Sequence, residues 1–184
     1  IVPTKFLEPG RNKSFGEIME RRGWHKVVIK PAVSASAHQT WVIEKDEVAS
    51  RAAALSSVLE EKAFMMQPFI EEIPKVGEWT LMYFGGKFSH AVLKTPQQGD
   101  FRVQSEFGGT REQLPAPNAG LECATNILPL LSPTPDYMRV DGVMVDGSFQ
   151  VIELELIEPE LFFLTAPGAA KDLARHLVTE VRSG

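Results

Sequence analysis

The sequence predicts an α+β protein built on antiparallel sheets. Two hairpins and one absence carry that expectation. Glu78–Phe84 and Lys87–Lys94 are alternating runs joined by Gly85-Gly86, and Gly-Gly between such runs marks a tight hairpin. Val140–Val145 and Ser148–Leu156 flank Asp146-Gly147 in the same way. No Walker glycine loop and no Rossmann fingerprint is present, so hairpins rather than βαβ crossovers should organise the sheets.

The elements follow in order. Ser14-Phe15-Gly16-Glu17 has the spacing of a capping box and starts a helix to about Arg22, which Gly23 ends. Val27, Val28 and Ile29 within His25–Lys30 form a β-branched run that reads as a buried strand. The Ala/Ser-rich stretch Pro31–Thr40 reads as a loop, and Thr40–Glu44 as a second strand. Asp46 can cap a helix from Glu47 to about Lys62, with Val48, Ala52, Leu55 and Leu59 along one face. Phe64–Ile70 is a short apolar strand ending near Pro68. After the first hairpin, Gly99–Gly109 reads as an irregular strand and loop. Asn118 caps a helix through Leu131, closed by Pro133 and Pro135. Gly168–Val181 is helical by period.

The chain has 184 residues, 43% hydrophobic and 23% charged, enough apolar content to bury a core. The net charge of -5 argues against nucleic-acid binding by bulk attraction. The apolar runs are too short for a membrane span. One cysteine, Cys123, excludes an internal disulfide or a cysteine metal cluster, and its place beside Leu121 and Ala124 suggests packing. With no basic segment followed by an apolar stretch at the N-terminus and no membrane-length run, the expected compartment is the cytoplasm. The sequence leaves the oligomeric state open.

The sharpest local feature is Ile152-Glu153-Leu154-Glu155-Leu156. Alternation puts Glu153 and Glu155 on one face and the aliphatic residues on the other. Two adjacent carboxylates repel unless a cation sits between them, and oxygen ligands of this kind suit Mg²⁺. Register gives a test. A two-residue turn at Asp146-Gly147 pairs Asp141 with Ile152, on the wrong face. A three-residue connection or a bulge pairs Asp141 with Glu153 and gathers three carboxylates. The plainer reading makes Glu153 and Glu155 the solvated face of an amphipathic strand. Taken alone, Lys30 reads as a surface lysine, Arg102 and Arg139 read as structural ion-pair partners, and His90, alternating with Phe88 and Val92, reads as a core or hairpin histidine rather than a base.

Taken together, these segments resemble the ATP-grasp superfamily of ATP-dependent carboxylate ligases. The likeness is to bacterial glutathione synthetase and the ribosomal-protein glutamate ligases, including the related cyclo-ligase of cycloserine biosynthesis. It covers nearly the whole chain and rests on five motifs in order. Val27-Val28-Ile29-Lys30-Pro31 resembles the strand ending in a phosphate-binding lysine. The loop after it resembles the flap over the phosphates, with Ser34, Ala35, Ser36 and Ala37 in place of glycines. Met66-Gln67-Pro68-Phe69-Ile70 resembles the linker that holds adenine through its backbone, and Glu78 matches the carboxylate on the ribose. The hairpin after it ends in Lys94, which the resemblance places near the phosphates. Phe101-Arg102 through Gly108-Gly109 resembles the loop whose arginine stabilises the transferring phosphoryl group, with Glu106 and Phe107 where the glutamate ligases are basic. Arg139-Val140-Asp141 with Glu153-Leu154-Glu155 resembles the metal-binding set, with Glu155 where relatives commonly carry asparagine. Pro159 matches the Ser-Pro-Gly-type substrate loop and its neighbours do not.

The resemblance implies an ATP-grasp fold of two lobes, 1–70 and 71–184, clasping ATP. An N-terminal α/β domain is expected to precede them, with Ile1-Val2-Pro3-Thr4 as the point where the chain leaves it. The implied activity is ATP-dependent, ADP-forming ligation of a small-molecule carboxylate to an amine or thiol through an acyl phosphate. Implied roles are ATP contacts for Lys30, Gln67, Pro68, Phe69, Ile70, Glu78 and Lys94, and catalysis for Arg102 and Arg139. Asp141, Glu153 and Glu155 are the implied ligands of Mg²⁺, with Mn²⁺ as an alternative. A nucleotide-binding module without ligase activity and a small-molecule kinase are the competing readings.

Overall fold

A computed structural model describes residues 1–10, 15–33, 39–51, 59–97, 99–100, 102–103 and 108–183. The chain divides into two compact units, Val2–Ile70 and Glu71–Gly184, the second also taking in Ile1.

The first unit holds a four-stranded antiparallel sheet. Its strands are β1 (Lys5–Leu7), β2 (Lys26–Pro31), β3 (Trp41–Glu44) and β4 (Phe64–Pro68), in the order β1-β4-β2-β3. Alternation along β2 buries Val27 and Ile29 on one face, and they meet Ile43, Phe64 and Met66. Helix α1 (Phe15–Arg22) closes that face with Phe15, Ile18 and Met19. Each such apolar side chain taken out of water contributes about 1.5–3 kcal/mol. Gly23 ends α1 in the left-handed region, with φ +67°. Its N–H and that of Trp24 donate to the last-turn carbonyls of Glu20 and Met19. The predicted helix after β3 opens differently from expectation. A 3₁₀ turn, Lys45–Glu47, starts at Glu44, whose N–H donates to the Glu47 carboxylate at 3.1 Å, so Asp46 lies inside the turn rather than capping it. Ser14, Ala52 and Leu55 lie outside the described residues, as does 34–38 of the predicted flap.

The second unit holds a five-stranded antiparallel sheet in the order β7-β6-β5-β8-β9. The strands are β5 (Glu78–Phe84), β6 (Lys87–Thr95), β7 (Thr110–Gln113), β8 (Tyr137–Val145) and β9 (Ser148–Glu155). The short helix α2 (Glu72–Val76) precedes β5. One face buries Leu81, Tyr83, Met138, Val140 and Val151 with Ala124 of helix α3 (Asn118–Ile127). The N-cap of α3 is Pro117 and Asn118 is its first helical residue, while Leu128–Leu130 continue it as a 3₁₀ turn. Half-buried Cys123 packs on this core. The other face buries Met82, Phe84 and Val92 under Phe162, Ala166 and Leu173, the last from helix α4 (Ala169–Ser183). His90 is 4% exposed there, with Nε2 3.2 Å from the carbonyl of Leu161. No helix among the described residues is long and apolar enough to cross a membrane.

Both hairpins form. Asp146 (φ +48°) and Gly147 (φ +77°) make a two-residue turn with Val145 opposite Ser148, the backbone signature of a type I′ turn. That register would bring Ile152 opposite Asp141. A bulge between Asp141 and Gly142 takes up Ile152 as an extra residue, so Asp141 pairs with Glu153 and Arg139 with Glu155. Gly142 sits under the Phe149 ring, where a Cβ would lie 2.4 Å from ring carbons.

Candidate functional site

The bulge gathers charge on one face of the five-stranded sheet. Thr80 of β5 is opposite Asp141 of β8. Glu78 is opposite Lys94, and Lys94 is opposite Arg111 of β7. Because Glu78 and Thr80 are two apart on one strand, they share a face. A charged row therefore runs across the sheet from Arg111 to Glu153.

Asp141 is its centre and is 2% exposed. Its Oδ1 accepts from the Thr80 hydroxyl at 2.6 Å. Its Oδ2 accepts from Lys94 Nζ at 3.2 Å and from Arg139 Nη2 at 2.9 Å. Burial alone would raise the carboxyl's pKa, but the Lys94 and Arg139 charges and the Thr80 bond hold it below the usual value. Lys94 also donates to Glu78, and Arg139 to Glu155. Burial would lower the Lys94 ammonium, yet Asp141 and Glu78 raise it. The Arg139 guanidinium is raised against its own burial by Asp141, Glu155 and Glu153. Burial pushes Glu78 up, with Lys94 pulling the other way. Glu155 is also raised, first by burial.

Ligand oxygens of Asp141, Glu153 and Glu155 lie within 4.8 Å of one another. Around them, two cations, Lys94 and Arg139, face four carboxylates, Glu78, Asp141, Glu153 and Glu155. The formal excess is two negative charges, which one divalent cation cancels. Hard oxygen donors in this number match Mg²⁺, which takes few protein ligands and keeps waters or phosphate oxygens. Each carboxylate oxygen has two lone pairs, so the bonds to Thr80, Lys94 and Arg139 leave Asp141 able to ligate. The residues fit the ion.

The other predicted residues fall as follows. In the first unit, Lys30 is half-buried on β2, opposite Met65. Gln67 is buried opposite Val28, with Nε2 donating to Thr4 Oγ1 at 2.8 Å. Lys30 and Gln67 share the sheet face turned away from that unit's core. Pro68 ends β4 opposite Val27, and half-buried Ile70 follows. The Phe69 N–H donates to the Lys26 carbonyl at 2.9 Å, and the Lys26 ammonium sits 4.2 Å from the Phe69 ring centre. In the second unit, Arg102 clasps Asp100, with Nε and Nη2 at 2.7–3.2 Å from its carboxylate. Those bonds raise the guanidinium. Phe101 and 104–107 of the same predicted motif lie outside the described residues. Sequence reasoning missed Thr80 and Arg111. Thr80 is two residues from Glu78 on an alternating strand, a signal that gains meaning only once Asp141 is placed opposite.

The prokaryotic glutathione synthetase ATP-grasp domain matches residues 11–174. The chain belongs to that ATP-grasp family. The domain is 27% identical to the cycloserine biosynthesis protein DcsG of Streptomyces lavendulae, over 99% of this chain and 65% of that protein. The crystal structure of D-cycloserine synthetase DcsG superposes with a TM-score of 0.83 at 23% identity, over 98% of this chain and 65% of that one. D-alanine–D-alanine ligase from Bacillus anthracis, complexed with ATP, gives 0.67 at 19% identity, over 99% and 60%. The ligase PsnB, complexed with a precursor variant, Mg and ADP, gives 0.64 at 14%, over 96% and 53%. These structures share the ATP-grasp fold. The chain spans 65% of the length of DcsG.

Proposed function

We propose that this ATP-grasp domain serves an ATP- and Mg²⁺-dependent, ADP-forming carboxylate–amine ligase. One observation carries the reading: the Ile152 bulge that turns Asp141, Glu153 and Glu155 to one face, beside Lys94 and Arg139. An amphipathic strand with a merely solvated face has no need of that register.

In such a ligase the substrate carboxylate takes the γ-phosphoryl group from ATP, and an amine then displaces phosphate from the acyl phosphate. Catalysis is mainly positioning and charge neutralisation. A divalent ion held by the three carboxylates supplies positive charge at the phosphates. Lys94, with Glu78 and Asp141 fixing its ammonium, presents a point charge to the phosphate chain. Arg139, oriented by Asp141 and Glu155, offers N–H donors to the phosphoryl oxygens. Lys30 holds phosphate, the Gln67–Ile70 backbone holds adenine, Glu78 holds the ribose, and Arg102 joins Arg139 at the acyl phosphate. The support for these roles is the family membership and the order of the motifs.

Calorimetry on the chain tests the nucleotide half. Mg·ATP should bind wild type, and the heat should vanish without Mg²⁺ and in an Asp141→Asn, Glu153→Gln double variant. Binding that ignores Mg²⁺ would remove the metal role. ADP release dependent on a carboxylate, with an amide as final product, supports ligation. A stable phosphorylated product would instead make the protein a kinase.

A further inference from the structure

Three cations lie on the charged face, and they are not held alike. Lys94 and Arg139 are held by buried or half-buried carboxylates of the sheet itself. Arg111 pairs instead with Glu160, which comes from the segment after β9 and has a half-exposed side chain. The Arg111 guanidinium lies over the Phe162 ring at 5.1 Å, and Arg139 approaches the same ring at 5.9 Å. The Arg111 Nε is covered from solvent and has no acceptor among the described residues. Arginine recognises carboxylates through a planar fork that can use Nε together with an Nη. Here Nη1 is bonded to Glu160 and Nε is not bonded.

The segment carrying Glu160 is also strained. Glu158 (φ +47°) and Phe162 (φ +54°) bracket it in the left-handed region, where a bulky residue is an outlier. Such conformations persist where the surroundings enforce them, and they concentrate at ligand clamps. Phe162 is enforced by burial, and the neighbouring Leu161 carbonyl by His90.

We propose that Arg111 is a binding residue for a carboxylate group of the substrate, and that Glu160 is its resting counter-ion, displaced when that carboxylate arrives. This rests on the ligase reading for the identity of the ligand class, and it assigns the specificity contact to β7. Relaxing Glu158 and Phe162 would uncover Nε, and the incoming carboxylate would satisfy it.

The test follows the Arg111 Nε–H resonance by NMR, assigned by its loss in Arg111→Lys. Acetate, glycine and succinate serve as probes at constant ionic strength, with chloride as control. Wild type should show a saturable shift with the carboxylates and none with chloride. Glu160→Gln should half-saturate at about fivefold lower concentration, the size expected for losing a part-exposed ion-pair competitor. A shift that is linear, equal in chloride, or unchanged by Glu160→Gln overturns the proposal. Mg·ATP calorimetry on the same wild-type sample separates the two readings. A saturable carboxylate response without Mg·ATP binding leaves the Arg111 site and rejects the ligase, and the converse rejects only the site.

Discussion

Replacing Asp141 by asparagine removes a carboxylate that both Lys94 and Arg139 touch. The change keeps shape, and the remaining Oδ1 still accepts from Thr80. What is lost is the charge that Lys94 Nζ meets at 3.2 Å and Arg139 Nη2 at 2.9 Å. The new amide presents donors to two cations that are themselves donors. Breaking a buried ion pair from one side costs about 3–5 kcal/mol. One effect opposes the loss, since four carboxylates crowd the site and removing one relieves repulsion. That relief is the smaller term. Glu153 is exposed and screened by solvent, and neither cation meets it as closely as Asp141. A net loss of about 3 kcal/mol should therefore appear in urea unfolding at pH 7, a large part of a typical 5–15 kcal/mol stability. The pH sign follows from the lowered Asp141 pKa. Its contribution is full above the unfolded value of about 3.9 and is lost as pH falls through the lower folded value, so the penalty should fade in acid. In a cycle with Lys94→Met, the double variant should lose less than the sum of the singles by about 1 kcal/mol or more. A single-variant loss below about 1 kcal/mol, or strict additivity, would refute the account of Asp141 as the shared counter-ion.

Thr80→Val keeps the side-chain shape and deletes the 2.6 Å donor to Asp141 Oδ1. It should cost about 1.5–3 kcal/mol in urea unfolding, the range for a hydrogen bond to a charged group. Burial lowers the His90 imidazole, so its folded pKa lies below the unfolded value of about 6.5. The stability of wild type relative to His90→Gln should therefore be constant above that pH and fall beneath it, by at most about 1.4 kcal/mol per pH unit. Deleting Ile152 removes the bulged residue while leaving Asp141 opposite Glu153 in an unbroken ladder. The deletion should retain divalent-ion binding by calorimetry, whereas inserting an alanine after Ile152 should abolish it.

How much of this was legible in the sequence depended on whether the signal was local. The two hairpins were, because Gly85-Gly86 and Asp146-Gly147 supply positive φ between alternating runs. The turn at Asp146-Gly147 also conflicted with the pairing that three clustered carboxylates require, and the bulge at Ile152 is how the chain resolves it. The three-residue β1 and the helix α2, which contains Pro74, are too short for any period to register. Strand β7 begins at Thr110, where Gly99–Gly109 had suggested an irregular strand. Thr80 and Arg111 were invisible for another reason. Each is an ordinary strand residue until its side-chain partner is known, and Asp141 and Glu160 lie 61 and 49 residues away along the chain. His90 was readable as a core histidine because it alternates with Val92, and its bond to Leu161 bears that out.

The charge balance explains why one register matters so much to this fold. An even register would bury Ile152 and Leu154 beside Asp141 and turn Glu153 and Glu155 to the apolar face over α3. Lys94 and Arg139 would then share Asp141 and Glu78 alone, and with Arg111 paired to Glu160 the face would be neutral. The bulge leaves the apolar core intact, because Val151 still packs with Val140 and Leu81. It adds two carboxylates to the opposite face without removing an apolar contact. A sheet selected only for stability gains nothing from that excess, since like charges on one face repel. The excess of two negative charges is what distinguishes a face that holds a cation from one that merely pairs its own ions.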